Sequence, residues 1–265
     1  MKLEMIRSIV EKDNELNKMN IQDQDLLVAF QYIMQRDQND LKDFYPKLVL
    51  KPYAHIAYIP TKEKVMYDST RKLRSYLEIF ESDIYISDAT LDDFIIEDDI
   101  HEKAIKYAKS LIHKKDTFYK GLFLVGPYGS GKSYLLSGLA NDLTKSGVDV
   151  VYVFVPDLIR SIKTSIGSDM LEKKINILKR ADCLILDDLG GENLSVWFRD
   201  EVLLPILHYR LNAKLPVHIS SNLFYTKLAD ALKTEKEDSV KVMRIIKRIQ
   251  DLTEPFVFTK VFKKD

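Results

Sequence analysis

A single cysteine, Cys183, stands among 265 residues, and that scarcity excludes a disulfide framework or a Cys-rich zinc site within the chain. No apolar run approaches the roughly 18 residues that span a bilayer. The opening stretch MKLEMIRSIVEKDNEL carries acids throughout and lacks the apolar centre of a signal peptide. An excess of either charge is missing too. Lys plus Arg and Asp plus Glu number 40 each, so net charge points to neither nucleic acid nor an acidic membrane, although a local basic patch fits beneath that balance. There is no internal repeat and no low-complexity tract. What remains is an ordinary globular composition, 46% apolar and 30% charged, in a chain long enough for one large core or two smaller ones. A cytoplasmic protein is the expectation.

The first part of the chain reads as helices and short strands. Ile6, Ile9 and Val10 make one apolar face, and Leu26, Phe30, Ile33 and Met34 a second, with Asn20 or Asp23 as its cap. KLVLK (47–51) and HIAYI (55–59) read as strands punctuated by prolines, and STRKLRSYLEIF (69–80) as a basic-faced helix. From Glu81 to Glu102 there is no Lys or Arg while nine acids accumulate. This predicts a solvated acidic linker running into a helix over 98–114, with Ile100, Ala104, Tyr107, Ala108 and Leu111 inward.

After residue 118 the pattern alternates. The apolar runs GLFLVG (121–126), VVYVFV (150–155), CLILDD (183–188) and PVHISSN (216–222) are separated by helical patterns, and FVFTKVF (256–262) closes the chain. Fully apolar strands between helices predict a parallel sheet covered on both faces, an α/β fold. The expected division is 1–80, 81–117 and 118–265.

GPYGSGKS (126–133) matches G-x-x-x-x-G-K-[ST] between an apolar strand and a helix, the context that a phosphate loop requires. Gly126, Gly129 and Gly131 let backbone N–H groups face an anion, and the helix start near Lys132 adds its positive end. Lys132 would reach the β/γ-phosphates and the Ser133 hydroxyl would ligate Mg²⁺. The adjacent acids Asp187 and Asp188 then gain a reason to lie together at a strand end. Asp187 would hold the Mg²⁺ shell and Asp188 would orient or deprotonate an attacking water. Asn222, at the tip of PVHISSN, would position that water or read the γ-phosphate; its bland role is a turn former.

Two further groups stay open between a functional and a solvated reading. Arg160, Lys163 and Thr164 share a face of the helical stretch after Pro156 and suit either water or a nucleic-acid backbone. In SVKVMRIIKRIQ (239–250), Val240, Met243, Ile246 and Ile249 are read as inward, while Arg244 and Arg248 share another face.

These pieces in this order resemble the AAA+ ATPases: Walker A at 126–133, Walker B at 184–188 and sensor 1 at Asn222. More closely, KGLFLVGPYGSGKSYLLSGLAN, LILDDLGGEN, WFRDEVLLPILHYRL and LPVHISSN are similar to bacterial replicative helicase loaders of the DnaC/DnaI type. The resemblance is specific over about 118–262 and weak before it. It implies an AAA+ P-loop core with a five-stranded parallel sheet behind a small α+β N-terminal domain. The implied function is ATP-dependent deposition of a hexameric replicative DNA helicase on single-stranded DNA, during replication initiation or restart.

By position, the resemblance implies that Gly126, Pro127, Tyr128, Gly129, Ser130, Gly131, Lys132, Ser133 and Tyr134 hold ATP. It makes Arg248 an arginine finger that acts on a neighbour's nucleotide, Arg244 a second basic site, and Arg160, Lys163 and Thr164 contacts to single-stranded DNA. Residues 1 to about 80 would bind the helicase, and the ATPase domain would self-associate. Two departures follow. Loaders from Gram-positive bacteria often carry a Cys-based zinc site where KLVLKPYAHIAYIP stands, and without cysteines no zinc is expected. The chain also stops after its last strand, which leaves no residues for a helical lid and implies slow hydrolysis, stimulated by assembly or DNA. The rival readings are an IstB-like transposition ATPase and a non-hydrolysing, nucleotide-switched adaptor.

Overall fold

Strand ends and helix starts gather at one edge of a parallel sheet, and the rest of the fold serves to place that edge. The computed structural model describes residues 3–38, 41–114, 118–191, 194–233 and 239–262. They form two units, Met1–Tyr67 and Asp68–Asp265.

The first unit packs α1 (Leu3–Lys12) and α2 (Leu26–Gln38) with an antiparallel pair, β1 (Phe44–Val49) and β2 (His55–Pro60). Its core is Ile6, Val10, Leu16, Leu26, Ala29, Tyr32, Ile33 and Leu48. Met34, expected inward, is exposed, and Ala29 and Tyr32 take the inner face with Leu26 and Ile33. The helical period brings 26, 29 and 33 onto one stripe and turns 34 away from it. Neither Asn20 nor Asp23 caps α2: a 3₁₀ turn, Asp23–Asp25, leads into the helix, and Asp23 pairs with Arg7 instead.

Helix α3 (Lys62–Phe80) begins in the first unit and ends in the second. The acid-rich segment after it is packed, not a free linker. Ala89, Leu91 and Phe94 are buried, and the Asn141 amide donates to the carbonyls of Ser87 and Ala89 at 3.2 and 2.8 Å. Most of the acids face water while Ala89, Leu91 and Phe94 turn in, and Ile84, Ile95 and Ile96 stay exposed. Asp98 then caps α4 (Asp99–Leu111), accepting from the N–H groups of Ile100 and His101 at 3.0 and 2.8 Å.

The sheet has strand order β4-β5-β6-β3-β7, all parallel. The strands are β3 (Gly121–Val125), β4 (Val150–Phe154), β5 (Cys183–Asp187), β6 (Val217–Ser221) and β7 (Thr253–Val257). The helices α5 (Lys132–Lys145), α6 (Val155–Thr164), α7 (Asp169–Arg180), α8 (Leu204–Asn212), α9 (Tyr225–Leu232) and α10 (Ser239–Leu252) cover it. Alternate strand residues feed two cores. Leu122, Leu124, Val150, Tyr152, Cys183 and Ile185 meet α4 and α5, while Phe123, Val151, Leu184 and Ile219 meet the helices of the other face. Continuing the series Cys183, Ile185 puts Asp187 on the α5 side.

Two expectations shift here. The last strand covers 253–257, directly after α10, and not 256–262. Beyond it the chain turns onto the neighbouring loop, where the Phe258 and Phe262 amides donate to the Val125 and Gly129 carbonyls at 2.6 and 2.8 Å. In α10 the inward residues are Val242, Ile245, Ile246, Ile249 and Leu252, whereas Val240 and Met243 are exposed. The 242–245–249–252 stripe wins because it extends the apolar face a full turn further, to Leu252.

Candidate functional site

The loop from Gly126 to Lys132 joins β3 to α5 at the sheet's carboxyl edge. Gly129 and Gly131 hold left-handed φ values of 74° and 83°, a conformation that side chains disfavour. Gly131 directly precedes α5, so the helix's unpaired N–H groups open onto the loop. A Cβ on Gly126 would lie 2.5 Å from the Phe258 carbonyl oxygen. The Ser130 hydroxyl donates to the Pro127 carbonyl at 2.8 Å and fixes the turn from within.

A cleft of about 350 Å³ opens beside this loop. Its walls include Tyr128, Gly129, Ser130, Gly131, Lys132, Ser133 and Tyr134 from the loop and α5, Ile84 and Phe154, and, across from them, Asp188, Ser220 and Asn222. Tyr128 is well exposed, with Lys132 Nζ 6.0 Å from its ring centre. Pro127 is not among the lining residues, and its carbonyl accepts from Ser130 and Lys132.

Lys132 is buried, and its ammonium donates three bonds: to the carbonyls of Gly126 and Pro127, each at 2.8 Å, and to Asn222 Oδ1 at 3.0 Å. Burial pulls its pKa below the ordinary lysine value, and Asp188 and Asp187 oppose that by favouring the cation. Lys132 thus places a positive charge near the two adjacent aspartates, and its hydrogen bonds go to two carbonyls and Asn222.

The aspartates have different surroundings. Asp187 is fully buried. Its Oδ2 accepts from the Tyr152 hydroxyl at 2.6 Å and its Oδ1 from the Ser220 hydroxyl. Burial, with Asp187 beside it, holds the Tyr152 phenol well above its usual pKa, so it remains a donor. Asp188 lines the cleft with φ at 60°. Its N–H donates to Ser220 Oγ at 2.8 Å, and its Oδ1 accepts from Asn222 Nδ2 at 2.9 Å. Tyr152 and Ser220 escaped the sequence reading. The available signal was a hydroxyl within each strand, Tyr152 amid the apolar run of β4 and Ser220 in β6 beside His218 and Ser221.

Oxygen donors of this kind suit a hard divalent cation that keeps most of its shell for phosphate and water. Among the described residues no group of three or more His, Cys, Asp or Glu side chains forms a protein-only metal cage. Ser133 and Asp188 line the cleft, whereas Asp187 lies fully buried behind it with both carboxylate oxygens hydrogen-bonded.

The remaining expected residues lie apart from the cleft lining. Arg244 and Arg248 sit on the outer face of α10 with Val240 and Met243. Arg248 donates to the Arg244 carbonyl at 3.0 Å and contacts His208 Nδ1 at 3.2 Å. Arg160, Lys163 and Thr164 are exposed on α6. Arg160 pairs with Asp157, and the Thr164 hydroxyl donates to the Ser161 carbonyl at 3.0 Å.

A family model described as "IstB-like ATP binding protein" matches residues 53–251. The replicative helicase loader DnaI of Bacillus subtilis (strain 168) is 28% identical over 273 residues, which is 96% of this chain and 88% of that protein. A crystal structure of DnaI superposes with a TM-score of 0.61 at 38% identity, covering 69% of this chain and 93% of that one. The crystal structure of the DnaC helicase loader gives a TM-score of 0.52 at 26% identity, covering 64% and 96%. The fold is thus the α/β P-loop core of these proteins. Among the described residues no helix is long and apolar enough to cross a membrane.

Proposed function

The chain belongs to the IstB-like ATP-binding proteins, and on that footing we propose that it is an ATP-driven loader that places a hexameric replicative helicase on single-stranded DNA. The observation that carries this is one side chain joining the loop lysine to the cleft aspartate: Asn222 bonds Lys132 and Asp188 at once. Such a link lets phosphate binding be sensed where water is activated.

ATP lies against the loop from Gly126 to Tyr134, with Ser133 and Asp187 as the residues that would hold Mg²⁺. A cation held there would supply neutralisation of the charge that develops on the phosphates. Lys132 has spent all three of its protons on Gly126, Pro127 and Asn222. To reach a phosphate it must release some of these acceptors. Asn222 Oδ1 then becomes available to a water, while Nδ2 keeps its hold on Asp188. Asp188 orients or deprotonates that water, and Asn222 polarises it. Arg248, outside the cleft, serves a neighbouring copy's nucleotide, with Arg244 beside it. Self-association through the ATPase domain is therefore part of the reading. Asp188 is one methylene shorter than a glutamate, which suits slow hydrolysis that rises on assembly or DNA binding.

Residues 1–80 are assigned to the helicase, the exposed α6 residues Arg160, Lys163 and Thr164 to the DNA backbone, 81–117 to a packed lead-in to the ATPase core and 118–265 to the ATPase. The cytoplasm is the compartment this work requires. A transposition ATPase would share the core. The loader reading is favoured because the likeness to DnaI runs over 96% of the chain, whereas the IstB-like match begins at residue 53.

Single-turnover ATP cleavage, with and without single-stranded DNA, tests the enzymatic half and separates a hydrolase from a passive adaptor. Lys132→Ala is expected to lower ATP affinity by at least about 2 kcal/mol, since charge-assisted bonds to phosphate are lost. Affinity unchanged in that variant contradicts the loop assignment.

A further inference from the structure

Three consecutive polar residues end β6, and each reaches the end of β5. Ser220 Oγ donates to Asp187 Oδ1 and accepts from the Asp188 N–H at 2.8 Å. Ser221 Oγ donates to the Leu189 carbonyl at 2.6 Å. Asn222 Nδ2 donates to Asp188 Oδ1 at 2.9 Å. The Ser220 hydroxyl touches both aspartates, one through its side chain and one through its backbone.

That double bond matters because the two residues are held in unlike ways. Asp187 ends a strand with its carboxylate fully buried, and its other oxygen is taken by Tyr152. Asp188 leaves the strand with φ at 60°, a left-handed conformation that a residue with a side chain disfavours. An amide hydrogen bond to a side chain that is itself 1% exposed holds that turn. Removing the hydroxyl would leave Asp187 Oδ1 without that donor and would free the turn that aims Asp188 into the cleft.

We propose that Ser220 is the positioning residue of this site. One hydroxyl sets the orientation of the carboxylate beneath the loop and of the carboxylate in the cleft, and Tyr152 completes the anchorage of the first. The inference rests on the ATPase reading above. Side chains that orient a metal-holding carboxylate without touching the metal typically change metal affinity by 10- to 100-fold when removed.

The test uses the full chain with a fluorescent ATP analogue titrated at increasing Mg²⁺, alongside single-turnover cleavage and thermal melting. Ser220→Ala is expected to bind the analogue without Mg²⁺ as the wild type does. It is expected to need at least about tenfold more Mg²⁺ for its half-maximal gain in affinity, and to cleave more slowly. Ser220→Thr, which keeps the hydroxyl, restores the Mg²⁺ response. Tyr152→Phe shifts the Mg²⁺ requirement in the same direction, and it stands as the test if Ser220→Ala does not fold. Ser221→Ala, which removes a bond to the Leu189 carbonyl and one from the Leu223 N–H but none to either aspartate, melts earlier but keeps the wild-type Mg²⁺ requirement. A folded Ser220→Ala or Tyr152→Phe with an unaltered Mg²⁺ requirement overturns the proposal. A wild type that neither binds the analogue nor responds to Mg²⁺ overturns the ATPase reading itself, a separate outcome visible in the unmutated arm.

Discussion

Asn222 joins Lys132 to Asp188: its Oδ1 accepts from the ammonium at 3.0 Å and its Nδ2 donates to the carboxylate at 2.9 Å. The cation of the phosphate loop and the acid across the cleft therefore share one amide. Asn222→Ala removes the shared group and leaves the loop's own carbonyls on Lys132. ATP affinity is expected to change by less than about 1 kcal/mol, while single-turnover cleavage falls by about 10²-fold, the usual cost of losing one preorganised polar group. Equilibrium binding and rapid-quench cleavage on the same preparation check both halves. A variant that cleaves at the wild-type rate removes Asn222 from the chemistry.

The loop was legible in the sequence because its spacing and its glycines answer one geometric demand, and Gly129 and Gly131 do adopt the left-handed backbone. The sheet was legible from unbroken apolar runs. Ser220 and Tyr152 were not, since a hydroxyl in a strand carries no spacing signature and its meaning lies in a partner 33 or 35 positions away. The inner face of α10 was misread by a few positions because Val240 and Met243 are apolar yet outward, and periodicity alone does not say which of two overlapping stripes meets the sheet. The segment 81–98 was misread because charge density hides the few apolar residues, Ala89, Leu91 and Phe94, that anchor it.

His218, in the sheet's core, makes stability depend on acid. It is fully buried, and its Nδ1 accepts from the Leu122 N–H at 3.0 Å. Burial, with the Arg210 charge as a lesser cause, depresses its pKa from 6.5 to about 3. An unfolded chain takes up the proton near 6.5, while the folded one resists it to about 3. The stabilisation is complete above 6.5 and is lost as pH falls toward the folded value. The loss from this group is on the order of 4 kcal/mol. His218→Asn keeps an acceptor for Leu122 and is expected to remove most of that acid-dependent slope. Urea unfolding across pH 3 to 7 measures it, and equal slopes for both proteins contradict the assignment.

Arg210 is a structural charge with no carboxylate partner in its clamp. Its guanidinium donates to the carbonyls of Leu178, Lys179, Ala181, Asp182 and Pro216 over 2.8–3.4 Å. Burial lowers its pKa to about 10, so it stays charged. A planar fork serves both the end of α7 and the residue that opens β6, which a three-proton ammonium does not match. Arg210→Lys is expected to cost at least about 3 kcal/mol in urea unfolding, from carbonyls left unpaired at about 1–3 kcal/mol each. Wild-type stability in the lysine variant contradicts the clamp.

The central claim is a nucleotide-dependent partnership with a ring-shaped helicase. Size-exclusion chromatography with light scattering of the full chain mixed with a hexameric replicative helicase from the same host, with and without ATP, tests it most directly. A co-eluting complex is expected whose mass changes with ATP and, in Lys132→Ala, no longer does. Separate elution of the two proteins under both conditions contradicts it.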